Sequence, residues 1–266
     1  MSTISRDHIG EKTSALAQRD RNACLSALPV EALAQLRPYL SESLLDHGTA
    51  LWGDGVRTSD VFFPLSGLIS IVLPMVGGES IEVASVAREG AGGSFFDARP
   101  EEPATRGIVQ IGGRFAHISA RHLAEIAAGN ASVQKMLDCC RSWLTAQAQQ
   151  IAACNSLHPA DKRLCRWLHH AAQKTGAATL FATQEAIGAL LGIRRTTVTL
   201  LAQGLHAQGL IDYRRGKITV LNPKKLEAAA CECCSRLGPD DWPAARATAQ
   251  QRVPLAPGGD DNRLLV

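Results

Sequence analysis

Arg194-Arg195-Thr196-Thr197, with Thr199 just beyond, are the residues of this chain whose chemistry is easiest to name. A guanidinium can grip the N7 and O6 edge of guanine with two hydrogen bonds. A threonine hydroxyl can bond either a base edge or a phosphate. Further on, Arg214-Arg215-Gly216-Lys217 puts three cations at the tip of what reads as a short hairpin. On this reading Arg194, Arg195, Thr196 and Thr199 face bases. Thr183, Thr197, Arg214, Arg215 and Lys217 face the sugar–phosphate backbone.

Such residues need elements to hold them. Thr183 suits an N-cap, and Glu185 falls in the first turn that follows, where negative charge suits the helix dipole. Ala186, Ile187, Leu190 and Leu191 form one apolar helical stripe. Gly192 supplies a turn, because glycine accepts positive φ without a Cβ clash. Val198, Leu201 and Leu205 mark the buried face of a second helix, and Gly209 its stop. Leu210-Ile211 and Ile218, Val220 and Leu221 then read as two strands. The whole has the layout of a winged helix-turn-helix, which lays its second helix in the major groove.

With this layout, the segment GIRRTTVTLLAQGLHAQGLI resembles the recognition helix and following turn of the Crp/Fnr transcription regulators. The resemblance extends over roughly residues 22 to 234. It implies that Arg195 stands where the family's guanine-reading arginine lies. The next position is often a glutamate that reads cytosine. Here it is Thr196, so the family's usual half-site does not carry over.

The rest of the chain fits that architecture. Its 266 residues suffice for two modest domains, and a net charge of only +3 leaves DNA binding to local basic clusters. No apolar run approaches the ~18 residues of a membrane span. The polar start STISRDHIGEKTS lacks the apolar core of a secretory signal, so the expected location is cytoplasmic.

The expected fold class is α+β, with an N-terminal jelly roll, a long dimerisation helix and a C-terminal winged helix-turn-helix. Residues 1–21 read as a flexible leader and 22–129 as a cyclic-nucleotide-binding-like β-roll. There, short apolar runs divided by glycines, such as VFFPLSGLISIVLP and SIEVASVA, argue for strands. Phe62 to Leu73, followed by Pro74 and Gly77-Gly78, reads as a hairpin. Residues 130–155 form a long helix, 156–234 the DNA-binding domain, and 235–266 a disordered tail rich in Pro, Gly, Ala and charge.

Within the long helix, Val133, Leu137, Cys140, Leu144, Gln147, Ile151 and Cys154 recur in steps of four and three. That is a heptad seam, and the expectation is a two-stranded coiled coil. Cys140 on it reads as a small apolar core residue, with contact to its symmetry mate as the alternative. The resemblance implies the same mode of dimerisation. In the helix after it, Leu164, Trp167, Leu168 and Ala171 make the buried face.

The family's nucleotide cassette has a glutamate for the ribose and an arginine for the cyclic phosphate. Here REGAGGSFFDARPEEPATRGIV has Gly93 or Ser94 where the glutamate is expected, and Thr105-Arg106 in reversed order. The expectation is a regulator that does not depend on cyclic AMP. Gly92, Gly93, Ser94, Thr105 and Arg106 mark where an effector pocket would lie, with the effector unknown.

Cysteine usage points to thiols. An iron–sulfur sensor needs a cysteine cluster, and the N-terminal region offers only Cys24. Cys231, Cys233 and Cys234 form a C-x-C-C run with redox or metal chemistry open to it, but no fourth ligand is legible, so no metal and no cofactor are expected. Cys165 and His169 share a helical face, which fits packing better than a site. No Gly-x-Ser-x-Gly, P-loop or His-Glu-x-x-His occurs, and an enzyme is not expected. The expected partners are double-stranded DNA, a second copy of the chain and, as a further candidate, RNA polymerase, with no membrane. The rival reading is a ligand- or redox-sensing signalling module whose winged helix makes protein contacts.

Overall fold

The computed structural model describes residues 22–53, 55–56, 59–97, 102–214 and 216–236. The leader at 1–21, all but the first two residues of the predicted tail, and Arg215 lie outside them.

Two short helices open the described chain, α1 (Ala23–Ser26) and α2 (Val30–Leu36). Asn22 caps α1, its Oδ1 accepting from the N–H groups of Cys24 and Leu25. Seven strands follow: β1 (Ser41–Leu45), β2 (Ala50–Trp52), β3 (Asp60–Pro64), β4 (Leu68–Pro74), β5 (Ser80–Val86), β6 (Arg106–Ile111) and β7 (Gly113–Ser119). They make two antiparallel sheets, ordered β1-β7-β3 and β2-β6-β4-β5, which enclose the roll.

The predicted hairpin is corrected here. β3 pairs with β7 and β4 with β5, so the 62–73 run crosses from one sheet to the other. The hairpin turn lies after Pro74, where Met75 N–H donates to the Glu79 carbonyl at 2.8 Å.

Strands β3 and β4 are covered on both faces, which is why they read as apolar runs and not as clean alternation. Along β3, Phe62 points into the roll with Leu51, Trp52, Ile69, Val109 and Phe115. Its neighbours Val61 and Phe63 point outward, under α1, α2 and the helices after β7. Along β4, Ile69 and Ile71 fill the roll while Leu68 and Val72 pack under the C-terminal domain. Each large side chain so buried contributes about 1.5–3 kcal/mol.

After the roll come α3 (Ala120–Gly129) and α4 (Ala131–Leu157), the latter capped by the Asn130 side chain. The heptad residues of α4 face their own chain. Val133, Leu137 and Cys140 are 0%, 1% and 1% exposed, packed against β3, β7 and the first helices. Leu144 packs against the roll, and Gln147 Oε1 accepts from Ser85 N–H at 3.3 Å. Ile151 lines a cleft against α5 (Ala160–Thr175). Of the predicted seam, Val133, Leu137, Cys140, Gln147 and Cys154 are therefore committed within the chain, since a side chain with no surface in one chain has none to offer a second, while Leu144 and Ile151 are half-buried. Cys140 meets Cys24, Sγ to Sγ 3.6 Å, within the same chain. The outward face of α4 has the same spacing but carries Lys135, Asp138, Ser142, Thr145, Gln149, Ala152 and Ser156, all exposed. Among the described residues, no helix is long and apolar enough to cross a membrane.

Candidate nucleic-acid interface

The C-terminal module comprises α5, β8 (Thr179–Phe181), α6 (Gln184–Leu191), α7 (Arg195–Ala207), β9 (Ile211–Arg214), β10 (Lys217–Val220) and α8 (Pro223–Ala229). Leu164, Trp167, Leu168 and Ala171 of α5 are buried, as their spacing indicates. They share one core with Ile187, Leu190 and Leu191 of α6, Val198, Ala202 and Leu205 of α7, and Ile211, Ile218 and Val220 of the hairpin.

The turn between α6 and α7 shows why its glycines are there. Gly192 has φ +62°, and Ile193 N–H reaches back to the Gly188 carbonyl at 2.9 Å, closing the end of α6. A Cβ on Gly188 would stand 2.8 Å from the Ile193 carbonyl oxygen, so the chain can turn this tightly only over a glycine. At the other end, Thr183 Oγ1 accepts from Ala186 N–H at 3.1 Å.

α7 starts at Arg195 with no side-chain cap, so its first N–H groups remain available to an anion. Arg194, Arg195 and Thr196 are exposed there, and Thr197 is half-buried. Thr199 is tied inward, its Oγ1 2.6 Å from Gln184 Oε1 and 3.0 Å from the Arg195 carbonyl. It is thus placed to hold α7 on α6. Leu200 is 69% exposed and lies one turn beyond Thr196 on the same face. In the sequence it passes for one more apolar residue, although it breaks the buried pattern set by Val198, Leu201 and Leu205. An exposed leucine there can contact a thymine methyl.

The three-stranded wing sheet has the order β8-β10-β9, and Lys217 pairs with both Arg214 and Phe181. Lys217 Nζ sits 5.2 Å from the centre of the Phe181 ring, a cation–π contact that fixes the amine at the wing edge. Arg214 is exposed and borders Asp212, Nε to Oδ2 3.4 Å.

The module rests on the outer face of the four-stranded sheet. Leu68, Val72, Ala87 and Ile111 of the roll join its core. Lys174 of α5 donates to the Ser85 carbonyl at 2.8 Å, to Ser85 Oγ at 2.9 Å and to Gln147 Oε1 at 3.1 Å.

Inside the roll the cassette residues make structure. Gly92 pairs with Phe62 through both backbone bonds, and Ser94 is buried. Thr105 Oγ1 donates to Asp97 Oδ2 at 2.8 Å and accepts from Trp52 Nε1 at 3.2 Å. Trp52 is 2% exposed, and its ring lies over Gly107, where a Cβ would stand 2.1 Å away. A tryptophan fills the roll beside Arg106, which opens β6.

The C-x-C-C run divides. Cys231 and Cys233 turn toward Cys154 and His158 at the end of α4. Cys234 faces elsewhere, its carbonyl accepting from His170 Nε2 at 2.8 Å. Cys165 is buried beside α7's core and its thiol pKa is pushed up to about 11 by burial, which suits packing over reactivity.

Comparison with known proteins agrees with this geometry. Residues 162–229 match the family model of the Crp-like helix-turn-helix domain. No curated protein matches the chain in sequence. Among solved structures, a transcriptional regulator of the Crp/Fnr family from Eubacterium rectale superposes with a TM-score of 0.59 at 18% identity, covering 77% of this chain and 95% of that one. FixK2 from Bradyrhizobium japonicum gives 0.60 at 15% identity over 72% of this chain and 98% of its own. A Crp/Fnr-family regulator from Thermus thermophilus gives 0.56 at 20% identity over 71% and 98%.

Proposed function

Starting from a chain of Crp/Fnr regulator fold that carries a Crp-like helix-turn-helix domain, we propose that it is a sequence-specific transcription regulator that binds a pseudo-palindromic operator as a homodimer, without cyclic AMP. The observation that carries this is the uncapped start of α7. It presents Arg194, Arg195 and Thr196 to solvent beside a wing bearing Arg214 and Lys217. Arg195 reads a guanine, Arg194 and Thr196 read neighbouring edges, and Leu200 favours a thymine methyl. Thr183, Thr197, Arg214, Arg215 and Lys217 hold phosphates, so they set register and affinity and not sequence.

Two copies would place two such helices about one DNA turn apart. With the inward face of α4 used within the chain, pairing falls to its outward face, where Ser142, Thr145, Ala152 and Ser156 allow close approach of a second helix. Independence from cyclic AMP is supported by Trp52, which occupies the roll beside the cassette, and by the missing glutamate. RNA polymerase is a further partner in this reading, and the site is not an enzyme's.

The test is selection of sites from random duplex DNA by the purified protein, with and without cyclic AMP and with and without reductant. A twofold-symmetric site recovered without effector is the expected result. Recovery only with cyclic AMP would overturn the effector-free part. Failure in every condition would favour protein contacts by the winged helix.

A further inference from the structure

We propose that Cys154, His158, Cys231 and Cys233 form a tetrahedral zinc site that clamps the end of α4 to the segment leaving the wing. Their four ligand atoms all lie within 4.8 Å of one another. Cys154 Sγ is 3.6 Å from Cys231 Sγ, and His158 Nδ1 is 3.6 Å from Cys233 Sγ. Zinc with Zn–S of about 2.3 Å and Zn–N of about 2.0–2.1 Å has tetrahedral S···S edges of about 3.8 Å and S···N edges of about 3.6 Å. The Cys154–Cys231 and Cys233–His158 edges match these dimensions, and the remaining edges lie within 4.8 Å, so a small inward shift would close the tetrahedron. A disulfide would need its sulfurs at about 2.05 Å. Three thiolates and one imidazole at tetrahedral spacing select zinc among the abundant divalent ions, since calcium and magnesium take oxygen.

Local chain geometry explains the arrangement. Cys154 is on the last turn of α4, and His158 closes that turn, its N–H donating to the Cys154 carbonyl at 3.0 Å. The two ligands therefore share one helical face. A 3₁₀ turn at Glu232–Ser235 sets Cys231 and Cys233 on one side and sends Glu232 to the other ring nitrogen of the histidine. Glu232 Oε1 is 3.0 Å from His158 Nε2, so that nitrogen carries the proton and Nδ1 presents its lone pair to the ligand cluster. Carboxylate–histidine contacts of this kind orient the ligand in zinc sites. Gln150 Nε2 donates to Cys233 Sγ at 3.0 Å, a second such support. Three thiolates on one Zn²⁺ leave a net negative charge, and Arg166 and Arg236 line the cleft that Cys233 borders.

Pro159 follows at once, and there the chain leaves α4 for the DNA-binding module. The ion therefore fixes the direction in which that module departs. The metal site stands on its own geometry. Its effect on DNA binding rests on the function proposed above.

The experiment is metal analysis of the full-length protein purified under reductant with zinc in the medium. The expected content is about one zinc per chain, as closed structural sites bind. Cys154→Ser, His158→Ala, Cys231→Ser and Cys233→Ser each remove it, while Cys234→Ser, Cys165→Ser and Cys139→Ser keep it. Should the ligand variants fail to fold, the parent still decides. Stripped with chelator and reloaded with Co²⁺, it shows the intense visible bands and thiolate charge transfer of a tetrahedral centre. Zinc-free parent that also gives no cobalt spectrum, or a native Cys154–Cys231 disulfide found by mass spectrometry, overturns the proposal. So does loss of metal in Cys234→Ser as complete as in Cys233→Ser. A loaded protein that binds no DNA would instead count against the functional reading alone.

Discussion

Lys174 Nζ lies 3.2 Å from Glu89 Oε1, and the two side chains are 2% and 4% exposed. One belongs to the DNA-binding module and the other follows the last strand residue of the roll's edge, so an ion pair removed from water joins the two halves. Glu89 Oε1 also accepts from Ala87 N–H at 3.2 Å, while Oε2 and Gln147 Nε2 have no hydrogen-bond partner among the described residues. Buried pairs are poor sources of net stability, because desolvation cancels most of the attraction. What the pair does supply is a single position for α5 on the sheet, and a contact that a shift of the module would have to break.

Removing one charge should therefore cost more than removing both. Lys174→Met is expected to lose about 3–5 kcal/mol, as is usual when a buried charge loses its partner, and Lys174→Met with Glu89→Leu to regain much of it. Urea denaturation of the two single variants and the double variant measures the coupling. Additive losses would mean that the pair does not act as a unit.

At the tip of α7, Arg195→Ala is expected to cost about 1–3 kcal/mol on the selected operator and to relax one base position in each half-site. Leu200→Ala should relax a thymine and leave the guanine intact. Titration against a panel of single-base operator variants checks both. An Arg195→Ala protein with the parent's preference at every position would remove Arg195 from the reading head.

On the wing, Arg214→Ala and Lys217→Ala should weaken all duplexes alike. Taking away one cation that holds a phosphate should reduce the slope of log K against log salt by about 0.9. Binding measured across a salt series distinguishes this from base reading, which changes preference at constant slope. Arg214 should show the smaller effect, since Asp212 beside it already offsets part of its charge.

His170 gives stability a pH dependence. Burial first, and then Lys174, Arg166 and His169, push its pKa down to about 3 from an ordinary 6.5, against the hydrogen bond to the Cys234 carbonyl, which raises it. Below the ordinary value the unfolded chain takes up a proton that the folded chain refuses. Stability is thus complete above about pH 6.5 and declines as pH falls toward 3. His170→Gln keeps a donor for the carbonyl and removes the titration, so its urea midpoint should fall less between about pH 7.5 and 5. Parallel curves for the two proteins would place the pH effect elsewhere.

Local patterns gave the helices at Ala160–Thr175, Gln184–Leu191 and Arg195–Ala207 and the two hairpin strands of the DNA-binding module, though not β8 or α8, because capping, helical stripe, turn glycine and strand alternation each depend on neighbours a few residues away. Thr183, Gly192 and Gly209 do in the fold what their types indicate. The heptad of α4 is legible too, but spacing states only that one face is apolar. It does not say whether that face meets a second chain or its own roll. The apolar surface of β3 and β7 lies nearest, and Val133, Leu137 and Cys140 pack there. Thr199 reads as a base contact from its place beside Arg195, and only the packing of α6 on α7 shows its hydroxyl bound to Gln184.

By itself, then, the sequence determined the helix pair and hairpin strands of the C-terminal module, the strand-rich character of the N-terminal roll and the long helix between them, and that the cassette lacks its glutamate. Each of those is a short-range property of residue type. The tertiary structure alone decided which face of α4 is spent within the chain, how Lys174 is held beneath the sheet, and that Cys154 and His158 meet Cys231 and Cys233. Those contacts join residues far apart in the chain, and nothing in local spacing encodes them. They exist because the module folds back onto the roll and brings the end of the wing segment beside the end of the long helix.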